Sequence, residues 1–187
     1  IALLATVAIY AVIAVVVLTV LGPAVAMSAA PLADVVAAAL RVLDLQGLES
    51  CSMRRVAAEL DVQTSALYHH VPNKQTLLAL MADEIVRGVG TSVGTASRAL
   101  GAPVDVARRI CHELREAMLA VRDGADVVAT ASAFRLGASA VETRLAALVG
   151  VDGARTLLLY TFGQAQSTQT HRQAAAFGAL LDAEEPR

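Results

Sequence analysis

The stretch Ser52-Met53-Arg54-Arg55-Val56-Ala57-Ala58-Glu59-Leu60-Asp61-Val62-Gln63-Thr64-Ser65-Ala66-Leu67-Tyr68-His69-His70-Val71 decides how the chain is read. Ser52 is a good N-cap, since its hydroxyl can accept from a first-turn amide, and the residues after it carry a short helix to about Leu60. Asp61-Val62-Gln63 interrupts that helix. A second short helix is expected from about Thr64 to Val71, where Pro72 stops it by pushing the preceding residue out of the α region. Leu67 and Val71, four apart, point inward, while Thr64, Ser65, Tyr68, His69 and His70 occupy the N-terminal turn and outer face. Two short helices across a tight turn outline a helix-turn-helix, which lays its second helix in the DNA major groove. Arg54 can then reach a phosphate or a guanine edge, and Lys74 can meet a phosphate together with the N-terminus of the next helix. The same spacing fits an ordinary helical hairpin with a polar face equally well.

Outward from this stretch the pattern stays helical. Upstream, Val36, Leu40 and Leu43 recur at helical spacing, and Gly47 stands where a C′ glycine ends a helix. Downstream, Asn73 caps a helix with the apolar face Leu77, Leu78, Met81 and Ile85. Gly88 to Ser97 is a connector, Pro103 lies in the first turn of a helix reaching Val121, and Asp123-Gly124 turns. Val141–Val149 and Gly153–His171 continue the helical theme. No segment alternates with the period of a strand, so the expected fold is all-α. Its expected parts are a helix-turn-helix head at 31–88 and a helical body at 98–187.

The residues Gly47-Leu48-Glu49, Ser52 to Val62, Ala66 to Lys74 and Leu77-Leu78 closely resemble the DNA-binding domain of TetR-family transcriptional regulators. Leu67-Tyr68-His69-His70-Val71-Pro72-Asn73-Lys74 is particularly similar to the tetracycline-repressor branch. The resemblance implies a three-helix head, a ligand-binding and dimerisation body, and repression relieved by a small molecule. Carried over by position, it makes Arg54, Thr64 and Ser65 readers of base edges. Ser52, Tyr68, His70 and Lys74 would hold phosphates, with Tyr68 also packing on a thymine methyl. The implied partners are a double-stranded, palindromic operator, a second copy of the chain and an unknown effector, in the cytoplasm. One departure stands in the head: Asp61 occupies the place of the family's usual glycine, in a turn that favours positive φ.

The similarity extends more weakly to Val121-Arg122-Asp123-Gly124-Ala125 and Val141-Glu142-Thr143-Arg144-Leu145 in the body. Tetracycline repressors hold a drug–magnesium chelate with histidines and a glutamate. Those positions fall near Val128, Leu159 and Ser167, none a useful metal ligand, so tetracycline–magnesium is not the expected effector. The pocket should be lined by apolar residues of the helices at 104–121 and 153–170, with Tyr160, Gln164 and Gln166 as its polar candidates. The long last helix of the family looks absent after Phe177-Gly178-Ala179-Leu180-Leu181, leaving the dimer to rest mainly on the 153–171 helix.

Composition limits these readings. The 187 residues carry 15 basic and 17 acidic side chains, 56% apolar residues and no tryptophan. A net charge of −2 excludes a polybasic nucleic-acid coat. Within 34–87, Arg41, Arg54, Arg55, Lys74 and Arg87 face seven acids, so DNA binding should be modest and sensitive to salt. Lys74 is the only lysine. Residues 1–33 hold no charge, and Ile1 to Leu21 is apolar except for Thr6 and Thr19, long enough to span a bilayer. It lacks the flanking charges of an anchor or a signal peptide, and Met27-Ser28-Ala29 offers an alternative start. Residues 1–26 are therefore either an upstream extension or start-site artefact, a membrane or buried helix, or a secretory signal. A membrane-tethered helical regulator or interaction module is the alternative that an anchor would imply.

Other chemistry finds little support. Cys51 and Cys111 lack metal spacing and read as buried small residues in a reducing compartment. His69 and His70 are adjacent and so point to different helix faces, and His112-Glu113 begins no His-Glu-x-x-His motif because position 116 is Glu. No phosphate-binding glycine loop or nucleophile elbow occurs. Neither an enzyme, a metal site nor a cofactor is expected.

Overall fold

The computed structural model describes residues 31–91, 102–176 and Gly178. The apolar leader at 1–26, most of the connector and all but Gly178 of the residues after Ala176 lie outside the described residues, and with them the expectations placed there. Among the described residues seven helices follow in order: α1 Leu32–Gln46, α2 Met53–Glu59, α3 Thr64–Tyr68, α4 Lys74–Ile85, α5 Pro103–Leu119, α6 Gly124–Ala133 and α7 Ser139–Ala176. There is no strand among the described residues, as the all-α expectation required.

In α1 the buried stripe is Val35, Val36, Ala38, Ala39, Val42 and Leu43, with Leu40 only half-buried at its edge. Gly47 ends the helix at φ 77°, donating its N–H to Leu43 O at 2.8 Å. Ser52 caps α2 by accepting from the Arg55 N–H at 3.4 Å, and Asn73 caps α4 by accepting from the Thr76 N–H at 2.8 Å. The turn after α2 is a Schellman arrangement: Val62 N–H reaches Ala57 O at 3.0 Å and Asp61 N–H reaches Ala58 O at 3.2 Å. Its left-handed residue is Asp61 at φ 54°. The positive φ expected there is present, on a residue that adopts it less readily than glycine.

Some helix limits, and one whole helix, differ from the sequence reading. α3 stops at Tyr68 rather than Val71, and His69-His70 form a turn through His70 N–H to Leu67 O. α5 ends at Leu119, two residues short of Val121. The residues after Asp123-Gly124 form a full helix, α6, that the sequence reading passed over. Its sequence, GADVVATASA, is rich in β-branched and small residues and holds its place by packing.

α5 presents Val106, Ala107, Ile110, Leu114 and Met118 to the interior, a stripe at helical spacing, and packs on both α6 and α7. α7 is broken at Gly150 (φ 79°, ψ 167°) into segments 139–149 and 151–176, matching the two helices expected there. By length and composition α7 could cross a bilayer, but that length is two helices joined at a break. α4 joins the two halves by packing on α6. The buried side chains of α1–α4 and α5–α7 form one continuous apolar cluster.

Candidate nucleic-acid interface and cavity

The short α3 is held by two anchors, Leu67 (1% exposed) and Val71 (0%), both in the core. Its other residues face outward: Ser65 and Tyr68 are exposed and Thr64 is half-buried. His69 is exposed and His70 half-buried in the turn beyond it. Arg54, the arginine singled out from the sequence, and its neighbour Arg55 differ in their surroundings. The Arg55 guanidinium is hydrogen-bonded to the Gln46 side chain on α1, whereas Arg54 is exposed with no ion pair or side-chain hydrogen bond among the described residues. The other basic residue of the surface between α1 and α2, Arg41, is paired with Glu59 at 2.8 Å. Lys74 begins α4 directly after its Asn73 cap and is half-buried, with no ion pair among the described residues. Ser52 has its oxygen turned to the Arg55 amide, which leaves its O–H free to donate. Ser52 and Arg54 thus belong to the cap and first turn of α2, Thr64, Ser65 and Tyr68 to α3, His70 to the turn after it and Lys74 to the start of α4.

A second cluster joins head to body. Asp123, at φ 55° ahead of α6, accepts from the Leu48 backbone N–H at 2.7 Å with Oδ2 and from the Gln173 amide with Oδ1. Its neighbour Arg122 donates to Leu45 O at 3.2 Å, placing a cation on the unsatisfied carbonyls that end α1. Gly47 lies against this pair: a Cβ there would meet Asp123 Oδ2 at 3.0 Å. Asp126 accepts from Gln166 at 2.8 Å and from Gln169 at 2.6 Å, and Gln169 Oε1 takes the Ala125 N–H at 3.1 Å. Gln166, a candidate for the pocket by sequence, is therefore committed to this seam and does not line the cavity. Gly124 is obligatory, because a Cβ at that position would fall 2.4 Å from Met118 O. The sequence segment 121–125 carried a resemblance but no hint of this role, since its partners are distant in sequence.

The cavity lies between α5 and α7 and has a volume of about 520 Å³, within the range of small-molecule sites. Val104, Ala107, Leu157 and Val149 supply apolar wall, and Tyr160 and Gln164 reach it from α7, where sequence had placed them. Arg108, His112 and Arg115 also line it, all from α5 at positions i, i+4 and i+7. That spacing was visible in the sequence and its significance was missed. Cys111 corrects the reading of both cysteines as buried: Cys51 is in the core, whereas Cys111 is half-buried and lines the cavity beside Thr161. Burial raises the pKa of both thiols, opposed by the Lys74 charge at Cys51 and by a hydrogen bond with Thr161 at Cys111. Val128 is buried in the core, while Leu159 and Ser167 face outward from α7, and none of the three lines the cavity.

Helical anchors behind an outward polar helix, joined to a helical body with its own cavity, define a helix-turn-helix protein of the regulator class. Residues 35–81 match the model for bacterial regulatory proteins of the tetR family. The HTH-type transcriptional repressor DrrR1 of Streptomyces coeruleorubidus is 55% identical over 53 residues, 28% of this chain and 20% of that protein. The class E tetracycline repressor protein of Escherichia coli is 34% identical over 103 residues, 53% of this chain and 46% of the repressor. The chain thus spans less than half the length of these curated relatives. Among solved structures, Mycobacterium smegmatis BioQ superposes with a TM-score of 0.75 at 34% identity, over 83% of this chain and 89% of BioQ. BioQ in complex with its double-stranded DNA operator superposes at 0.67, again 34% identical, over 80% of this chain and 93% of BioQ. The chain belongs to the TetR family of bacterial regulatory proteins.

Proposed function

We propose that the protein is a transcriptional repressor that binds a short palindromic operator as a homodimer in the cytoplasm and is released by a small molecule in the α5–α7 cavity. The observation that carries this reading is the outward polar face of α3, anchored by Leu67 and Val71 and flanked by two cations, Arg54 and Lys74, that no carboxylate neutralises among the described residues. In the major groove, Arg54 reads a guanine edge, Thr64 and Ser65 read base edges, and Tyr68 packs on a thymine methyl and a phosphate. Ser52, His70 and Lys74 hold phosphates and fix the register. Two copies are needed because one head offers few phosphate contacts. A two-fold dimer would place the recognition helices one helical turn of DNA apart. The outward apolar side chains Val151 and Leu159 on α7, away from the cavity-lining Tyr160, belong to the surface that a second copy would cover.

The effector reading is supported by the seam. α7 lines the cavity with Tyr160 and Gln164 and, a few residues on, holds Asp126 and Asp123 through Gln166, Gln169 and Gln173. Asp123 in turn holds Leu48 in the head. A ligand that shifts α7 therefore acts on groups bonded to the head. The effector is not the tetracycline–magnesium chelate, because Val128, Leu159 and Ser167 supply no ligand atoms to the cavity. A gel-shift titration against the DNA upstream of the protein's own gene, run at two salt concentrations, tests the reading. A retarded complex that weakens steeply with salt is expected, and no complex at either salt would refute DNA-dependent repression.

A further inference from the structure

We infer that the α5–α7 cavity selects a small amphipathic organic anion, an apolar body carrying one carboxylate, over neutral and cationic compounds of the same shape. This rests on the proposed role of the cavity as effector site and names its chemistry. The wall is sorted by character. Val104, Ala107 and Leu157 give it an apolar side, while Arg108, His112 and Arg115 bring three nitrogen-bearing side chains from a single face of α5. Among the described residues no Asp or Glu lines the cavity. A carboxylate brought into this space meets its cationic donors on that side, and the planar guanidinium fork matches its two oxygens; Tyr160 and Gln164 add neutral donors from α7. An ammonium group would meet two guanidinium charges and, among the described residues, no carboxylate in the wall, the costly arrangement for a group leaving water.

The existing partners of the two arginines do not close this option. Arg108 pairs with Asp105 at 3.2 Å and Arg115 with Glu116 at 2.6 Å, but in each pair at least one side chain is more than half exposed. Such pairs contribute little, so a ligand carboxylate held by the apolar wall can displace them. Arg115 also reaches the Thr168 hydroxyl on α7 at 3.4 Å, which keeps its guanidinium at the junction of the two helices. Thr161 is already occupied, by Leu157 O at 2.7 Å and by the Cys111 thiol. Burial disfavours the thiolate of Cys111, so it adds no negative charge to the wall.

The test is calorimetric titration of the full chain with naphthoate, naphthalenemethanol and naphthylmethylamine, which share a body and differ in charge. Naphthoate should bind at least about tenfold more tightly than the alcohol, and the amine more weakly still. The doubly substituted Arg108→Gln/Arg115→Gln protein should lose the preference while keeping its melting temperature, and Arg54→Ala should retain it. Equal affinities, a preference for the amine, no binding of naphthoate, or a preference that survives the double substitution would each overturn the inference. If naphthoate binds with the stated preference and the operator complex persists, the anion site stands and the effector role fails.

Discussion

Head and body are built from the same alanine-rich helices, but they store their chemistry over different distances. The groups proposed to meet DNA all fall between Ser52 and Lys74, and each is displayed by a helix whose caps and anchors lie within a few residues of it. In the body, Asp123 is bonded to Leu48, 75 positions away, and to Gln173, 50 positions away. The cavity is likewise shared by helices far apart in sequence. A surface assembled locally carries its own signature, because caps, spacing and turn residues record it. A surface assembled from remote segments leaves only single residues that resemble any other polar residue.

The sharpest way to break the contrast is at the anchor of α3. Leu67→Ala should cost about 3 kcal/mol, measured by urea unfolding, and abolish DNA binding. Because head and body share one apolar cluster, the expected change is a single earlier transition. A separate head transition would show two independent folding units. Next comes the seam: Asp123→Ala should cost about 2 kcal/mol by the same measurement, since it leaves the Leu48 N–H and the Gln173 amide without an acceptor. Asp123→Asn should cost less, because it keeps one oxygen and tolerates the left-handed backbone.

Smaller effects sharpen the division of labour within the head. Lys74→Ala should weaken binding to all sequences alike and lower the slope of log affinity against log salt by about 1, measured by gel shift across salts. Thr64→Ala and Ser65→Ala should instead change which operator variants are preferred. A changed preference in Lys74→Ala would undo these assignments. Asp61→Gly should raise stability by about 0.5 kcal/mol by relieving the positive φ of the turn, and should tighten DNA binding slightly by removing a carboxylate near α3. The weakest effect is at high pH. Both thiols titrate above their ordinary 9.0 in the folded chain, so above that pH the unfolded chain releases protons first and stability falls.

The fold was largely legible, and the reasons are specific. Ser52, Asn73, Gly47 and Pro103 mark helix ends by capping chemistry, and the Leu67/Val71 pair fixes which side of α3 faces inward. α6 was missed because its small and β-branched residues give no strong helical preference; packing against α4, α5 and α7 holds it. The partner of Arg55 was invisible because the bond depends on Gln46 reaching across from α1. Gln166 was misplaced for a similar reason: one helix presents Gln164 to the cavity and Gln166 to Asp126, and only the rotation of α7 decides which.

The bond from Asp123 to Leu48 also decides where this molecule can be cut and joined. A DNA-reading module taken at the connector after Val89 would carry Leu48 and the α1 carbonyls away from the carboxylate and guanidinium that complete them. Its recipient would have to offer an Arg-Asp-Gly turn at the same place. The exchangeable part is therefore discontinuous: residues 32–89 together with 122–126, two pieces of chain that travel as one.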